Sequence, residues 1–97
     1  MTPLRVGICG LGAAGWAFVP ALRRHPGLRW VAAADAEPRA RDEAQREGGV
    51  TVHASLDEML ALAAPDAVIL ATPTPLHAPQ ALRSLAAGAL IIYLNTN

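Results

Sequence analysis

The stretch that decides the fold is Val6-Gly7-Ile8-Cys9-Gly10-Leu11-Gly12-Ala13-Ala14-Gly15. Its apolar start predicts a short buried strand, and the G-x-G-x-x-G spacing predicts a turn that opens directly into a helix. In such a turn Gly10 permits the sharp change of direction, Gly12 lets the backbone approach a pyrophosphate, and Gly15 allows the helix to pack closely on the strand. The backbone N–H groups near Ala13 would face the phosphates. The stretch therefore predicts a dinucleotide-binding turn.

An acidic residue follows at the distance that such a turn requires. Asp35 comes directly after the apolar run 30–34 and lies twenty positions beyond Gly15. This is the spacing of a carboxylate that binds a ribose hydroxyl at the end of the second strand. The alternative is a helix-capping aspartate ahead of Pro38. The spacing favours the ribose role.

Length, composition and charge restrict the class of protein. The 97 residues suffice for one domain, 53% of them are hydrophobic, and the formal net charge is zero. These values argue against a nucleic-acid partner and against disorder, and favour a small ligand. The sequence contains no apolar run of about 20 residues and no charged segment followed by a long apolar stretch, so we expect a cytoplasmic chain without a membrane partner.

Cysteine chemistry and metal binding are not indicated by the sequence. Cys9 is the only cysteine, so no disulfide can form within the chain. Its place in an apolar strand predicts a buried, inert thiol, since no cationic neighbour or helix start is evident that would activate it. We assign no metal ligands.

Strand-like runs alternate with helical segments along the chain, which is typical of a doubly wound α/β fold with a parallel sheet and three α/β/α layers. Right-handed crossovers predict the strand order 3-2-1-4-5, with a ligand crevice at the carboxyl ends of strands 1 and 4. The predicted strands cover residues 5–9, 29–34, 50–53, 67–71 and 89–94.

The first two predicted helices differ in character. The first covers residues 13–24 and turns Trp16, Val19 and Leu22 inward, but Pro20 interrupts it and predicts a kink or a shifted start. The second covers residues 38–47, is rich in arginine and glutamate, and is expected to face solvent.

The last two helices carry clear end signals. Ser55 and Glu58 predict a capping box in which Glu58 bonds the Ser55 backbone N–H. The fourth helix starts after Pro75, turns Leu82 and Leu85 inward, and ends at Gly88 in a left-handed conformation.

Several motifs together resemble the N-terminal domain of the Gfo/Idh/MocA oxidoreductases, a family that includes glucose-fructose oxidoreductase and inositol dehydrogenase. The Thr-Pro, His and Ala-Gly elements are more specific than the glycine motif alone, and the resemblance covers residues from about 4 to 90. The matching pieces are Gly10 to Gly15, Asp35, Ser55-Leu56-Asp57-Glu58-Met59-Leu60, Asp66-Ala67-Val68-Ile69-Leu70-Ala71-Thr72-Pro73, His77, and Leu85-Ala86-Ala87-Gly88.

The resemblance implies NAD or NADP as the ligand, with Thr72, Pro73 and His77 near the nicotinamide half. For His77 a helix-start residue bonded to backbone is an equal alternative. Asp35 favours NAD, while Arg39 or Arg41 could neutralise the 2′-phosphate of NADP. The expected cofactor-binding residues are Gly10, Leu11, Gly12, Ala13, Ala14, Gly15, Asp35, Ala71, Thr72, Pro73 and His77.

The chain departs from the family after Gly88. There the family has Gly-Lys-His-Val and then Glu-Lys-Pro, whose lysine assists proton transfer, whereas this chain has Leu94, Asn95 and Thr96 at the corresponding count. We therefore assign no catalytic residue. Two functions stay open: the cofactor domain of an oxidoreductase for sugar-like or cyclic alcohols, inactive alone, or a stand-alone dinucleotide-binding or sensing module without turnover.

The last residues also change in composition. Residues 91–97 lack the Ala, Arg, Gly and Pro that dominate the rest of the chain. We hypothesise that residues 1–97 form a truncated cofactor domain whose tail, 91–97, is non-native. The final strand would then be an apolar sheet edge, and such edges recruit partners, so we expect a homodimer through this strand.

Overall fold

A computed structural model describes residues 2–94 as a single five-stranded sheet in the order β3-β2-β1-β4-β5. All four neighbouring pairs are parallel. The predicted doubly wound α/β fold and its strand order are confirmed. The strands are β1 (Leu4–Cys9), β2 (Leu28–Ala34), β3 (Thr51–His53), β4 (Ala67–Leu70) and β5 (Leu90–Leu94).

Helices cover both faces of the sheet, which gives three layers. One apolar core cluster takes Val19 from the second helix and Ala44 from the third, and a separate cluster takes Met59 from the fourth and Ala81 from the fifth. The helices are α1 (Ala13–Trp16), α2 (Val19–Arg24), α3 (Pro38–Gly48), α4 (Leu56–Leu62) and α5 (His77–Ala86), with a 3-10 turn at Thr74–Leu76.

The central strands supply both clusters because successive side chains of a strand point to opposite faces. Ile8 and Ala33 belong to the first cluster, whereas their neighbours Cys9 and Ala34 belong to the second. Strands buried on both faces read as continuous apolar runs, which explains why the pattern of residues 5–9 and 67–71 does not alternate.

The first predicted helix is divided in two, as Pro20 indicated. Helix α1 ends at Trp16, and α2 begins at Val19 with Pro20 in its first turn, where a missing N–H costs no helical bond. Val19 and Leu22 are buried and Trp16 packs edge-on against Trp30 at 5.6 Å between ring centroids. Helix α3 buries only Ala44, so its predicted solvent-facing character is confirmed.

The capping box at α4 is present with one change of partner. The Ser55 hydroxyl accepts a hydrogen bond from the Glu58 backbone N–H at 3.1 Å. Glu58 Oε1 lies 3.4 Å from the backbone nitrogen of Ala54, and not at that of Ser55 as expected. The carboxylate thus bonds one residue further back along the chain.

The predicted orientation of α5 is wrong. Leu82 and Leu85 are 68% and 55% exposed, while His77, Gln80 and Ser84 face the sheet. Helical spacing groups residues onto a common face, but polar side chains can occupy the inner face when they find hydrogen-bond partners there. The end of the helix agrees with expectation, since Gly88 has a φ of +85°.

The last strand pairs with β4 in a shifted register. Ile91 lies opposite Val68 and Tyr93 opposite Ile69, so one residue of β5 is bulged between them. Ile91 therefore packs on the second cluster and Tyr93 on the first, although they are two residues apart. Of the hypothesised tail, residues 95–97 lie outside the described residues.

Among residues 2–94, none of the helices has the length and apolar character that a bilayer span requires.

Candidate functional site

A cavity of about 450 Å³ opens at the carboxyl ends of the strands, where a doubly wound sheet binds its ligand. It is bordered by the ends of β1, β2 and β4, by the start of α4 and by one face of α5. The lining residues are Cys9, Gly10, Gly12, Ala34, Asp35, Ala36, Ala54, Ser55, Leu56, Asp57, Ala71, Thr72, Pro73, Leu76, Gln80 and Arg83.

The three motif glycines occupy different environments. Gly10 has a φ of +98°, and a Cβ there would lie 2.8 Å from the Ala71 carbonyl carbon. A Cβ on Gly15 would collide with the Gly10 carbonyl oxygen. Gly12 has extended backbone, and no atom lies within 4 Å of its Cβ position. Gly10 and Gly15 are thus required by the protein's own packing, whereas the space at Gly12 is open.

Backbone donors lie beside that open space. The first hydrogen bond of α1 runs from the Trp16 N–H to the Gly12 carbonyl at 3.1 Å. The N–H groups in the first turn of a helix have no partner within the helix, so those of Ala13 and Ala14 are available to an acceptor. Helix α1 has only four residues, so these donors matter more than its macrodipole.

Asp35 lies directly beside the glycine turn, at the end of β2. Its Oδ2 accepts a hydrogen bond from the Leu11 N–H at 2.8 Å, and its Oδ1 accepts one from the Glu37 N–H at 2.9 Å. The N-cap residue of α3 is Glu37, so Asp35 is not the helix cap that the alternative interpretation required. Its side chain instead closes a turn by accepting from the backbone N–H two residues later. A carboxylate offers about four acceptor positions, so roughly two remain.

An arginine is bonded to the backbone of this residue. Arg41 Nη1 donates to the backbone carbonyl of Asp35 at 2.9 Å and to that of Ala36 at 3.0 Å. These two bonds keep the guanidinium next to the rim of the cavity.

Thr72 joins the end of β4 to α5. Its hydroxyl donates to Gln80 Oε1, and its carbonyl accepts a hydrogen bond from His77 Nε2 at 2.7 Å. Because a carbonyl can only accept, Nε2 carries the ring hydrogen. His77 is buried and does not line the cavity, whereas Thr72 and Pro73 do.

The remaining expected residues divide into two groups. Gly10, Gly12, Asp35, Ala71, Thr72 and Pro73 line the cavity. Leu11 and Gly15 are buried in the turn, Ala13 and Ala14 begin α1, and His77 lies behind Thr72.

Cys9 forms part of the cavity floor as a buried thiol. It is 5% exposed, and burial, with a smaller contribution from the Asp35 carboxylate, raises its pKa to about 11. The thiol is therefore protonated at neutral pH and is a poor nucleophile.

Sequence reasoning missed the wall that α5 and α4 contribute. Gln80 and Arg83 lie three positions apart on α5, and Asp57 lies in the first turn of α4. The signal was the helical spacing of the two α5 residues, which shows that they share a face.

Residues 2–94 contain no cluster of three or more His, Cys, Asp or Glu side chains suited to a metal ion.

Comparison with protein families identifies one match over nearly the whole chain. Residues 4–93 match the Gfo/Idh/MocA model, described as an oxidoreductase family with an NAD-binding Rossmann fold.

Individual relatives agree with this match. A protein of Amycolatopsis mediterranei, named as a UDP-kanosamine synthase oxidoreductase subunit, is 35% identical over 88% of this chain and 24% of its own length. A solved structure of a protein described as a dehydrogenase from Bordetella bronchiseptica is 38% identical, with a TM-score of 0.90 over 95% of this chain and 24% of that one.

A further solved structure contains a bound cofactor. The WlbA dehydrogenase of Bordetella pertussis, in complex with NADH and UDP-GlcNAcA, is 32% identical, with a TM-score of 0.87 over 94% of this chain and 28% of that one. The chain spans about a quarter of the length of these relatives. It belongs to the Gfo/Idh/MocA oxidoreductase family, as an NAD-binding Rossmann domain.

Proposed function

We propose that this domain holds NAD in the crevice for a dehydrogenase that moves hydride between nicotinamide and a hydroxyl-bearing carbon of a sugar-like or cyclic alcohol. The observation that carries the proposal is the open space at Gly12, beside the first-turn N–H groups of Ala13 and Ala14, in a cavity that Asp35 also lines. A pyrophosphate needs such close approach to backbone donors, and a ribose needs such an acceptor.

The chain's own residues fit the cofactor in three parts. The turn from Gly10 to Gly15, including Leu11, would face the pyrophosphate. The free acceptor positions of Asp35 would bind the adenosine ribose hydroxyls. Ala71, Thr72 and Pro73 would line the path toward nicotinamide, and His77 would act by holding the Thr72 carbonyl in place.

NAD when bound supplies the hydride acceptor, while the protein supplies position and environment. The chain contains no lysine. We therefore propose no proton-transferring residue within it, and we propose activity only for a protein in which further groups reach the same substrate. The second candidate is a dinucleotide-binding module without turnover, which would use the same cofactor site.

Two relatives support a substrate class for this proposal. One is named for UDP-kanosamine synthesis and another was solved with UDP-GlcNAcA. We propose a sugar nucleotide as the substrate, with a free cyclic alcohol as the competing class.

Calorimetric titration of the chain with NADH and NADPH tests the cofactor proposal. Gly12→Val places a side chain into open space, so it should leave folding intact and abolish binding. Ala61→Val, on the exposed face of α4, is the matched control and should bind like the wild type. Absence of binding to either dinucleotide, or full binding by Gly12→Val, would contradict the proposal.

Turnover tests the dehydrogenase in a protein that joins this domain to the further groups that reach the substrate. NAD reduction by that protein would be followed with UDP-sugars and with inositols. Reduction with either class supports the dehydrogenase, whereas tight NADH binding by that protein without NAD reduction by any substrate favours the binding module.

We also propose that a second copy of the chain pairs along β5. This strand lies at the sheet edge and exposes Leu90, Ile92 and Leu94, and the adjoining α5 exposes Leu82 and Leu85. An apolar strand edge favours pairing. Light scattering should give a dimer, and Ile92→Lys should give a monomer. A monomeric wild type at high concentration would contradict the pairing.

A further inference from the structure

One wall of the cavity contains an ion pair that the cofactor contacts above do not use. Arg83 Nε, on α5, lies 2.9 Å from Asp57 Oδ1, in the first turn of α4. Both residues line the cavity, together with the apolar side chains of Leu56, Leu76 and Pro73. The pair therefore joins two helices beside an apolar part of the cavity wall.

The ion pair is too exposed to have much value as a structural link. The side chains of Arg83 and Asp57 are 49% and 67% exposed. Exposed pairs contribute little to stability, because water and salt screen them. Both charged groups lie on the cavity wall, where they can bind a ligand.

The hydrogen-bonding capacity that remains has a definite pattern. With Nε engaged, Arg83 keeps the donors of its two terminal nitrogens, and Asp57 keeps acceptor positions on its carboxylate. A donor beside an acceptor complements the edge of adenine, which offers N7 as an acceptor and the N6 amino group as a donor. A flat base also suits the apolar part of the cavity wall.

The ion pair shares a cavity with the proposed ribose site. Asp35, Asp57 and Arg83 all line it. The base attached to a ribose at Asp35 would lie in that same cavity.

We propose that Asp57 and Arg83 recognise the adenine base of the dinucleotide, with Asp57 accepting from the amino group and Arg83 donating to a ring nitrogen. This inference rests on the proposed NAD site. It predicts discrimination against hypoxanthine, because an oxygen at position 6 would face the Asp57 carboxylate, and two acceptors repel each other.

The test compares NADH with reduced nicotinamide hypoxanthine dinucleotide, which differs from NADH only in that base. By calorimetry the wild type should bind NADH about tenfold more tightly, within the range expected for two complementary base contacts. Asp57→Asn, whose amide can donate to the oxygen, should reduce this ratio to about one. Arg83→Ala should lower the affinity for NADH, and Arg83→Lys should restore part of that affinity.

Two control variants lie away from the cavity on exposed positions of α3. Asp42→Asn and Arg46→Ala remove one charge of each sign and should keep the wild-type ratio. A merely structural ion pair would change affinity for both dinucleotides equally and leave the ratio unchanged.

The outcomes separate this inference from the proposed function. Equal wild-type affinity for the two dinucleotides, or an unchanged ratio in Asp57→Asn, overturns base recognition while NAD binding stands. Failure of the wild type to bind either dinucleotide overturns both. If Arg83→Ala does not fold, the affinity ratio of Asp57→Asn still tests base recognition.

Discussion

The carboxylate of Asp35 accepts a hydrogen bond from the backbone N–H of Leu11 at 2.8 Å, which joins the end of β2 to the turn after β1. The same side chain bonds the N–H of Glu37. Asp35 therefore fixes the glycine turn through the protein's own hydrogen bonds. A turn held in this way avoids part of the ordering cost of binding.

Replacing Asp35 should change the cofactor preference. In Asp35→Ser the negative charge that repels a 2′-phosphate is gone, while Arg41 stays beside the site through its bonds to the backbone. We expect the affinity for NADPH relative to NADH to rise at least tenfold, about 1.4 kcal/mol. Competitive titration of the two dinucleotides measures this ratio.

Two further variants test the reason for that change. Asp35→Ser combined with Arg41→Ala should lose the gain, and Asp42→Ser, on exposed α3, should behave like the wild type. A ratio that stays constant in Asp35→Ser would mean that this carboxylate does not face the 2′ position.

Gly15→Ala should destabilise the fold. The added methyl group would meet the Gly10 carbonyl oxygen, which is backbone and cannot rotate away. Overpacking of this kind costs about 1–3 kcal/mol or more. Urea unfolding measures the loss, and Gly12→Ala, whose methyl meets nothing, should stay within about 0.5 kcal/mol of the wild type. Equal stability of the two variants would refute the packing role of Gly15.

The buried thiol of Cys9 predicts a pH dependence of stability. Burial raises the pKa of this thiol to about 11 in the folded protein, whereas a cysteine in an unfolded chain has a pKa of about 8.5. Above the pKa of the unfolded cysteine, the unfolded chain binds fewer protons than the folded one. The free energy of unfolding therefore keeps its full value below that pKa and falls as the pH rises toward 11.

Cys9→Ser lacks this titration and isolates its effect. Between pH 7.5 and 10.5 the wild type should lose about 2 to 3 kcal/mol more than the variant, at about 1.4 kcal/mol per pH unit. Parallel curves for the two proteins would show that the thiol is not buried in solution.

Substitution of His77 distinguishes its two interpretations. His77→Leu removes the side chain that donates to the Thr72 carbonyl, which should cost about 1–3 kcal/mol in unfolding free energy. His77→Gln retains a donor and should recover part of the loss. Unchanged stability combined with a large fall in NADH affinity would instead mean that His77 contacts the cofactor.

Local chemistry made much of the fold predictable. The glycine turn needs positive φ at Gly10 and no side chain at Gly15, and these requirements depend on residues close in sequence. The Ser55 cap bonds an N–H three residues away. The alternation of strands and helices fixes the strand order once right-handed crossovers are applied.

The orientation of α5 was not predictable in the same way. Periodicity showed that Leu82 and Leu85 lie on one side of the helix, but it could not show which side the sheet covers. Gln80 is on the inner side because Thr72, eight residues earlier, gives its amide a partner. That contact exists only once β4 and α5 are packed together.

The sequence by itself determined the strand order, the glycine turn and the acid at the end of β2, because each depends on local backbone geometry or fixed spacing. Only the tertiary structure decided that Gln80, Arg83 and Asp57 line the cavity, that Leu82 and Leu85 are exposed, and that Cys9 is shielded from water. The physical reason is that these environments arise from the packing of α4 and α5 against the sheet, which brings together residues far apart in the chain.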